Sequence, residues 1–259
     1  MFDQLLLVIF GFFIGILASM TGVGGGVFIV PILTFFYDFR VNSATGTSLT
    51  AIIFTAIAST INYSRQKRIY YRTGIALAAT AAPGAYLGAL VAKITQEQLL
   101  GLIFGIFLVI VASRLIISLV LRRKQDRDQP FKTDSELVGS RIIIAGVALG
   151  FFGGIASGLL GIGGGVLIVP IMTFALGMPM HLATATSMFT MIFTAISGVT
   201  EYYQAGLVNL PVALLFGAGT VIGAQVGAHT SKRLSNRNLT ILFATMLMVV
   251  GTNMILKYK

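Results

Sequence analysis

Residues 11–33 read GFFIGILASMTGVGGGVFIVPIL, and residues 150–172 read GFFGGIASGLLGIGGGVLIVPIM, identical at 14 of 23 positions with an offset of 139. Each copy sets three glycines, Gly24-Gly25-Gly26 and Gly163-Gly164-Gly165, inside an apolar run and follows them with Val30-Pro31 or Val169-Pro170. A glycine in a helix interior costs about 1 kcal/mol relative to alanine, so a triplet favours unwinding. The proline then removes one more helical hydrogen bond from the short piece that follows. The stretch therefore reads as helix, break and short helix, installed once in each half of a duplicated chain.

The offset runs on without a gap. Thr45, Thr47 and Ser48 match Thr184, Thr186 and Ser187, and the run Ile53 to Ile57 matches Ile192 to Ile196 outright. Tyr63 matches Tyr202, and Gly84, Ala85, Gly88 and Ala89 match Gly223, Ala224, Gly227 and Ala228. The chain divides into an N-terminal repeat at 1–121, a charged linker at 122–140 containing Pro130, and a C-terminal repeat at 141–259.

Of the 259 residues 56% are hydrophobic and 10% charged, against about 25% charged in an ordinary soluble domain. Apolar stretches of about 20 residues suffice to cross a bilayer core. Eight such segments can be read, at 5–36, 44–63, 73–92, 98–120, 141–177, 183–203, 206–229 and 238–257. The expected fold is an all-α, multi-pass protein of the cytoplasmic membrane, built from two four-segment repeats. The first segment opens at Leu5 with no basic region before it, so a removable signal peptide is not expected. The net charge of +10 sits in short loops, as the positive-inside rule requires, with Arg65, Lys67, Arg68 and Arg72 crowding one loop. Arg122, Arg123, Lys124, Arg127, Lys132 and Arg141 crowd the longest. No basic face with interleaved aromatics is left for nucleic acid. Cysteine is absent and only His181 and His229 are histidines, so no disulfide, metal site or cofactor is expected.

The orientation of the repeats turns on the first segment of each. As one helix, 5–36 would be roughly 48 Å long, too long for a core of about 30 Å. A fold-back at the glycines leaves three crossings per half and inverts the halves; continuation across leaves four and keeps them parallel. The loop at 64–72 carries four basic residues and its counterpart at 203–211 none. Lys93 stands alone at 93–98, whereas Lys232, Arg233 and Arg237 occupy 232–237. Opposite charge in matched loops favours inversion.

Unwound backbone at membrane depth survives only when buried in protein or lining a polar cavity. A short helix beginning there presents free N–H groups and a partial positive charge. Gly24, Gly25, Gly26 and Val27, with Gly163, Gly164, Gly165 and Val166, are therefore candidates to bind an anion. Thr45, Ser48, Thr184 and Ser187 are candidate neutral donors beside them. Accessory candidates are Asn42, His181, Arg114, Tyr63, Tyr202 and Gln225. Each has a plainer reading: glycines as close-packing positions, hydroxyls as helix caps, Asn42 and His181 as interfacial residues, and Arg114 as a snorkelling cation. Gly84-xxx-Gly88 and Gly219-xxx-Gly223-xxx-Gly227 are read as packing motifs. GVGGG lacks the Gly-Lys-Ser/Thr ending of a phosphate loop. All eight acids lie near termini, loops or segment ends, with Glu201 closest to the membrane. No acid/base constellation suggests an enzyme.

With its duplicated G-x-G-G-G-x-x-x-V-P and the A-T-x-T-S patch behind it, the chain resembles the TauE/SafE family of bacterial permeases over nearly its whole length. The resemblance implies transport of small sulfur-containing anions, such as sulfite, sulfoacetate or thiosulfate. A secondary transporter working by alternating access, in the export direction, is the expectation, and a passive anion channel of the same architecture is the alternative. The partners expected are the anion and the lipid bilayer, with a homodimer as a compatible assembly.

Overall fold

The computed structural model describes residues 2–121, 133–138, 142–231 and 236–259, where its regular elements are all helical and no strand occurs. Its helices are α1 (Phe2–Thr21), α2 (Gly26–Phe36), α3 (Val41–Arg65), α4 (Tyr71–Ile94), α5 (Glu97–Leu121), α6 (Asp134–Val138), α7 (Ile142–Leu160), α8 (Gly165–Pro170), α9 (Met180–Gln204), α10 (Leu210–Thr230) and α11 (Asn236–Tyr258). A π-helical turn, Ile171–Ala175, continues α8. Among the described residues seven helices are long and apolar enough to cross a membrane: α1, α3, α4, α5, α9, α10 and α11. Most of the linker at 122–140, with Arg122, Arg123, Lys124, Arg127, Pro130 and Lys132, lies outside the described residues, as do Arg141, Lys232 and Arg233.

The glycine breaks behave as their chemistry dictates. α1 ends at Thr21 and α2 begins at Gly26, with Gly22, Gly24 and Gly25 at φ of 80°, 79° and 95°. Their equivalents Gly161, Gly163 and Gly164 take 71°, 73° and 86°. These left-handed values are open to glycine and strained for other side chains. Each short helix then turns back along its partner. The Phe10 and Phe36 rings lie 6.4 Å apart, and Leu176 packs against Gly146 of α7. Each half thus starts with a helical hairpin whose tip is the glycine break.

The two halves interlock. Gly219, Gly223 and Gly227 of α10 set their Cα atoms against the carbonyls of Val8, Phe12 and Ile16, so α10 and α1 run parallel. Gly84 and Gly88 of α4 meet Phe151 and Ile155 of α7, while Gly154 and Gly158 answer against Ala81 and Ala85. A methyl group at Gly223 would stand 2.0 Å from the Phe12 oxygen. Small residues at four-residue spacing let the backbones touch, the usual basis of helix association in lipid. At the centre α3 and α9 cross antiparallel, with Gly46 against Tyr202 and Gly198 against Leu49. Large apolar side chains such as Ile75, Phe152, Ile222 and Val249 remain more than half exposed and face outward.

Two carboxylates finish helix starts. Asp134 of α6 accepts from the Arg72 and Thr73 amides, both 3.0 Å, and from the Thr73 hydroxyl at 2.7 Å, at the start of α4. Glu97 accepts from the Val41 amide at 2.9 Å, at the start of α3. Negative charge at a helix N-terminus is stabilising.

Gly223→Leu should destabilise the protein by at least about 1–3 kcal/mol through overpacking. A lowered unfolding temperature of the detergent-solubilised protein checks this, and an unchanged value would contradict the close approach.

Candidate functional site

The two hairpin tips meet where α3 and α9 cross. Gly24 and Gly163 both pack on Ile52 and Met191, near the midpoints of the two helices and equivalent under the 139-residue offset. Gly26 lies against the Gly161 carbonyl and Gly165 against the Gly22 carbonyl. Each tip therefore touches the tip of the other half.

The hydroxyl patch at the start of α3 and α9 divides its labour. Ser48 donates to the Gly161 carbonyl and Ser187 donates to the Gly22 carbonyl, both at 2.9 Å and both across the halves. Thr47 accepts from the Asn209 amide and Thr186 from the Tyr70 amide, both at 3.0 Å and again across the halves. Thr194 adds a bond to the Gly163 carbonyl at 2.9 Å. Thr45 and Thr184 remain. They pack on Gly161 and Gly22, are buried, and their hydroxyl oxygens have no hydrogen-bond partner.

The backbone of the tips shows the same incompleteness. The amides of Phe28 and Ile29 donate to Gly25, and those of Leu167 and Ile168 to Gly164. Among the described residues, the amides of Gly24 and Gly25, and of Gly163 and Gly164, make no hydrogen bond to protein, while the turns over 24–25 and 163–164 close onto the start of each short helix. Gly25 and Gly164, the residues before each short helix, carry no side-chain cap. All four residues are buried. An orphaned buried amide costs about 1–3 kcal/mol, so four in one place form a costly concentration of donors. No acid lies in the glycine loops or the hydroxyl patches.

The accessory candidates fall into different places. Tyr63 donates to the Ser19 carbonyl at 2.7 Å, and Tyr202 to the equivalent Gly158 carbonyl at 2.8 Å. Both buried phenols thus tie down the last turn of their own half's first helix. Gln225 pairs with Asn62, whose side-chain amide donates to it at 2.9 Å. Asn42 and His181 stay half-buried at the starts of α3 and α9, with the Asn42 amide oxygen unpaired. Arg114 is exposed on α5.

A cleft of about 310 Å³ opens between the α2–α3 link and the α9–α10 link, lined by Phe39, Arg40, Ser43 and residues 206–209. Arg40 was not singled out in the sequence. Its signal there is an unmatched charge, because the equivalent position is Pro179. A second feature less legible in sequence is the Lys93–Glu201 ion pair, in which the carboxylate side chain is 4% exposed.

Seven membrane-capable helices around two unwound tips define a polytopic membrane protein with a broken-helix centre. The family model described as "Sulfite exporter TauE/SafE" matches residues 7–254. The chain belongs to the TauE/SafE sulfite exporter family and is a membrane transporter of that type. It is 30% identical to "Probable membrane transporter protein YunE" of Bacillus subtilis, with 96% of each chain covered. It is 32% identical to a "Probable membrane transporter protein" of Methanocaldococcus jannaschii, covering 97% of this chain and 95% of the relative. It is 39% identical to "Sulfite exporter TauE/SafE family protein 3" of Arabidopsis thaliana over a third of this chain (33%) and 18% of that protein. No solved structure gives a significant match.

Ser187→Ala should leave the Gly22 carbonyl buried without a donor and cost about 1–3 kcal/mol. Thermal unfolding of the variant measures this, and Ser48→Ala should match it through Gly161. A silent pair would show that the crossed bonds are not needed to hold the tips.

Proposed function

We propose that the chain is a secondary carrier of small sulfur-containing oxyanions across the cytoplasmic membrane, working by alternating access. The observation that carries this reading is the cluster of four unbonded glycine amides with the unpaired hydroxyls of Thr45 and Thr184. An oxyanion such as sulfite, thiosulfate or an organosulfonate offers several acceptor oxygens on one small centre, matching donors that converge without a full charge. Hydrogen bonds to a charged acceptor are roughly twice as strong as neutral ones, which suits a site without Lys or Arg. Ser48 and Ser187 position the glycine loops in this conformation and reach the anion only if those bonds exchange.

The fold-back hairpins and the antiparallel α3 and α9 support inverted insertion, with the Arg65–Arg72 loop inside and the cleft at Arg40 outside. Export follows from the potential, since an inside-negative membrane expels anions at about 2.3 kcal/mol per charge per 100 mV. In this orientation Lys259 lies outside, and a C-terminal tag should be labelled on intact cells. A tag reached only after permeabilisation would reverse the topology.

Thr45→Val and Thr184→Val keep side-chain shape and remove the donors. Sulfite, thiosulfate or an organosulfonate should raise the unfolding temperature of the wild-type protein, and the double variant should bind at least about tenfold more weakly, as expected for losing bonds of 1.5–3 kcal/mol to a charged group. Undiminished binding would remove the site. Counterflow in proteoliposomes separates the carrier from a passive anion channel, because only a carrier exchanges labelled for unlabelled substrate.

A further inference from the structure

The repeat offset carries Asn62 onto Glu201 and Tyr86 onto Gln225. At one end of the crossed helices Asn62 and Gln225 form a neutral network. Asn62 donates to the Gln225 side chain at 2.9 Å, Gln225 donates to the Ala58 carbonyl at 2.9 Å, and the Gln66 amide donates to Asn62. At the opposite end the equivalent pair is Glu201 with the Tyr86 hydroxyl beside it, joined by the Lys93 ammonium. The same structural position is thus a neutral amide network in one half and a titratable cluster in the other.

We propose that Glu201 is a proton-binding site coupled to anion movement, the charged member of two otherwise matched ties between the halves. This rests on the carrier reading given above and adds the coupled ion. The Lys93–Glu201 pair joins α4 of the first half to α9 of the second, and it is the only ion pair among the described residues. Its carboxylate side chain is 4% exposed while the Lys93 side chain is 27% exposed. Water therefore reaches the cation more readily than the anion. If Lys93 withdraws into water, a buried carboxylate left with only the Tyr86 hydroxyl is disfavoured and takes up a proton. The step is a simple one: a proton from water on the cleft side adds to a Glu201 oxygen, Lys93 stays an ammonium, and no electrons move.

The tie is placed to sense the cleft. The Ala205 amide donates to the Glu201 carbonyl and the Leu207 amide to the Tyr202 carbonyl, so the cleft wall at 206–209 is continuous with the helix end that carries Glu201. The surrounding elements bring few other charges. From α4 come Lys93 and Tyr86; α7, α8 and the π turn contain no ionisable residue, and α1 has only Asp3, in its first turn. α3 has Arg40 at its N-cap, on the cleft, with Tyr63 and Arg65 at its far end. α11 has Lys257, which donates to the Thr34 carbonyl, beside Tyr258, with Arg237 at its opposite end. Lys93 is the cation bonded to Glu201.

The opposite half supplies a control variant. Glu201→Asn with Tyr86→Gln copies the neutral Asn62–Gln225 pair into the charged end. Sulfite counterflow at equal pH and sulfite movement driven by an imposed pH gradient are measured in proteoliposomes, for wild type, this double variant and Glu201→Gln. The expected result is that the variants keep counterflow within about threefold of wild type and lose gradient-driven accumulation at least tenfold. Variants that keep counterflow and the wild-type gradient response overturn the proposal. Difference infrared spectra in detergent, which need no transport, give a second readout. A carboxylic C=O component should grow in wild type on acidification and be absent from Glu201→Gln, over the bands that the seven other acids give in both, and identical spectra in both overturn the assignment. Failure of counterflow in wild type with that band present sinks the carrier reading and leaves the proton site standing.

Discussion

Everything in this molecule depends on keeping unwound backbone polar groups satisfied where no water can serve them. Two glycine tips sit at the centre of a helical bundle, and each exposes carbonyls and amides that lipid cannot pair. The carbonyl side is answered by protein. Ser48 and Ser187 reach across to Gly161 and Gly22, and Thr194 reaches Gly163. Because each serine comes from the half opposite the tip it holds, neither hairpin is complete without the other repeat. The tight glycine seams of α10 on α1 and α4 on α7 repeat the same crosswise logic at the level of packing. A half taken alone would lose its hydrogen bonds and its contact surface together.

The amide side is less fully answered by protein, and the proposed anion site rests on that asymmetry. Carbonyls could have been matched by further hydroxyls and amides by acceptors, yet the glycine loops and the hydroxyl patches contain no acidic residue. A carboxylate there would satisfy the amides permanently and compete with any anion. Leaving the donors unmatched favours a ligand that arrives and departs, since a carrier needs binding strong enough to select and weak enough to release. Thr45 and Thr184 fit this pattern because their neighbours in the same patch, Thr47, Ser48, Thr186 and Ser187, are all engaged.

Much of this architecture was legible in the sequence. The repeat, the glycine breaks, the helical class and the packing role of Gly84, Gly88, Gly219, Gly223 and Gly227 follow from spacing and composition alone. What spacing could not convey was partnership across the halves. Thr45 and Ser48 look alike in a hydroxyl patch, and only the fold separates the one that binds a carbonyl from the one that binds nothing. Tyr63 and Tyr202 looked like cavity donors for the same reason, yet their hydroxyls reach backbone carbonyls of α1 and α7. Glu201 read as a residue at the end of an apolar run, and its burial depends on Lys93, 108 residues away.

Duplication alone would give a molecule with two equivalent faces, and a carrier needs faces that differ. The chain departs from its own repeat in a few telling positions: Arg40 against Pro179 at the cleft, and Glu201 with Tyr86 against Asn62 with Gln225 at the ties between halves. The central elements, by contrast, keep their matched hydroxyls and glycines. Symmetry is retained where an anion would be held from both sides, and broken where the two aqueous phases would be told apart. That division is what a symmetric binding centre with direction-dependent gating requires: binding can be indifferent to side while opening is not.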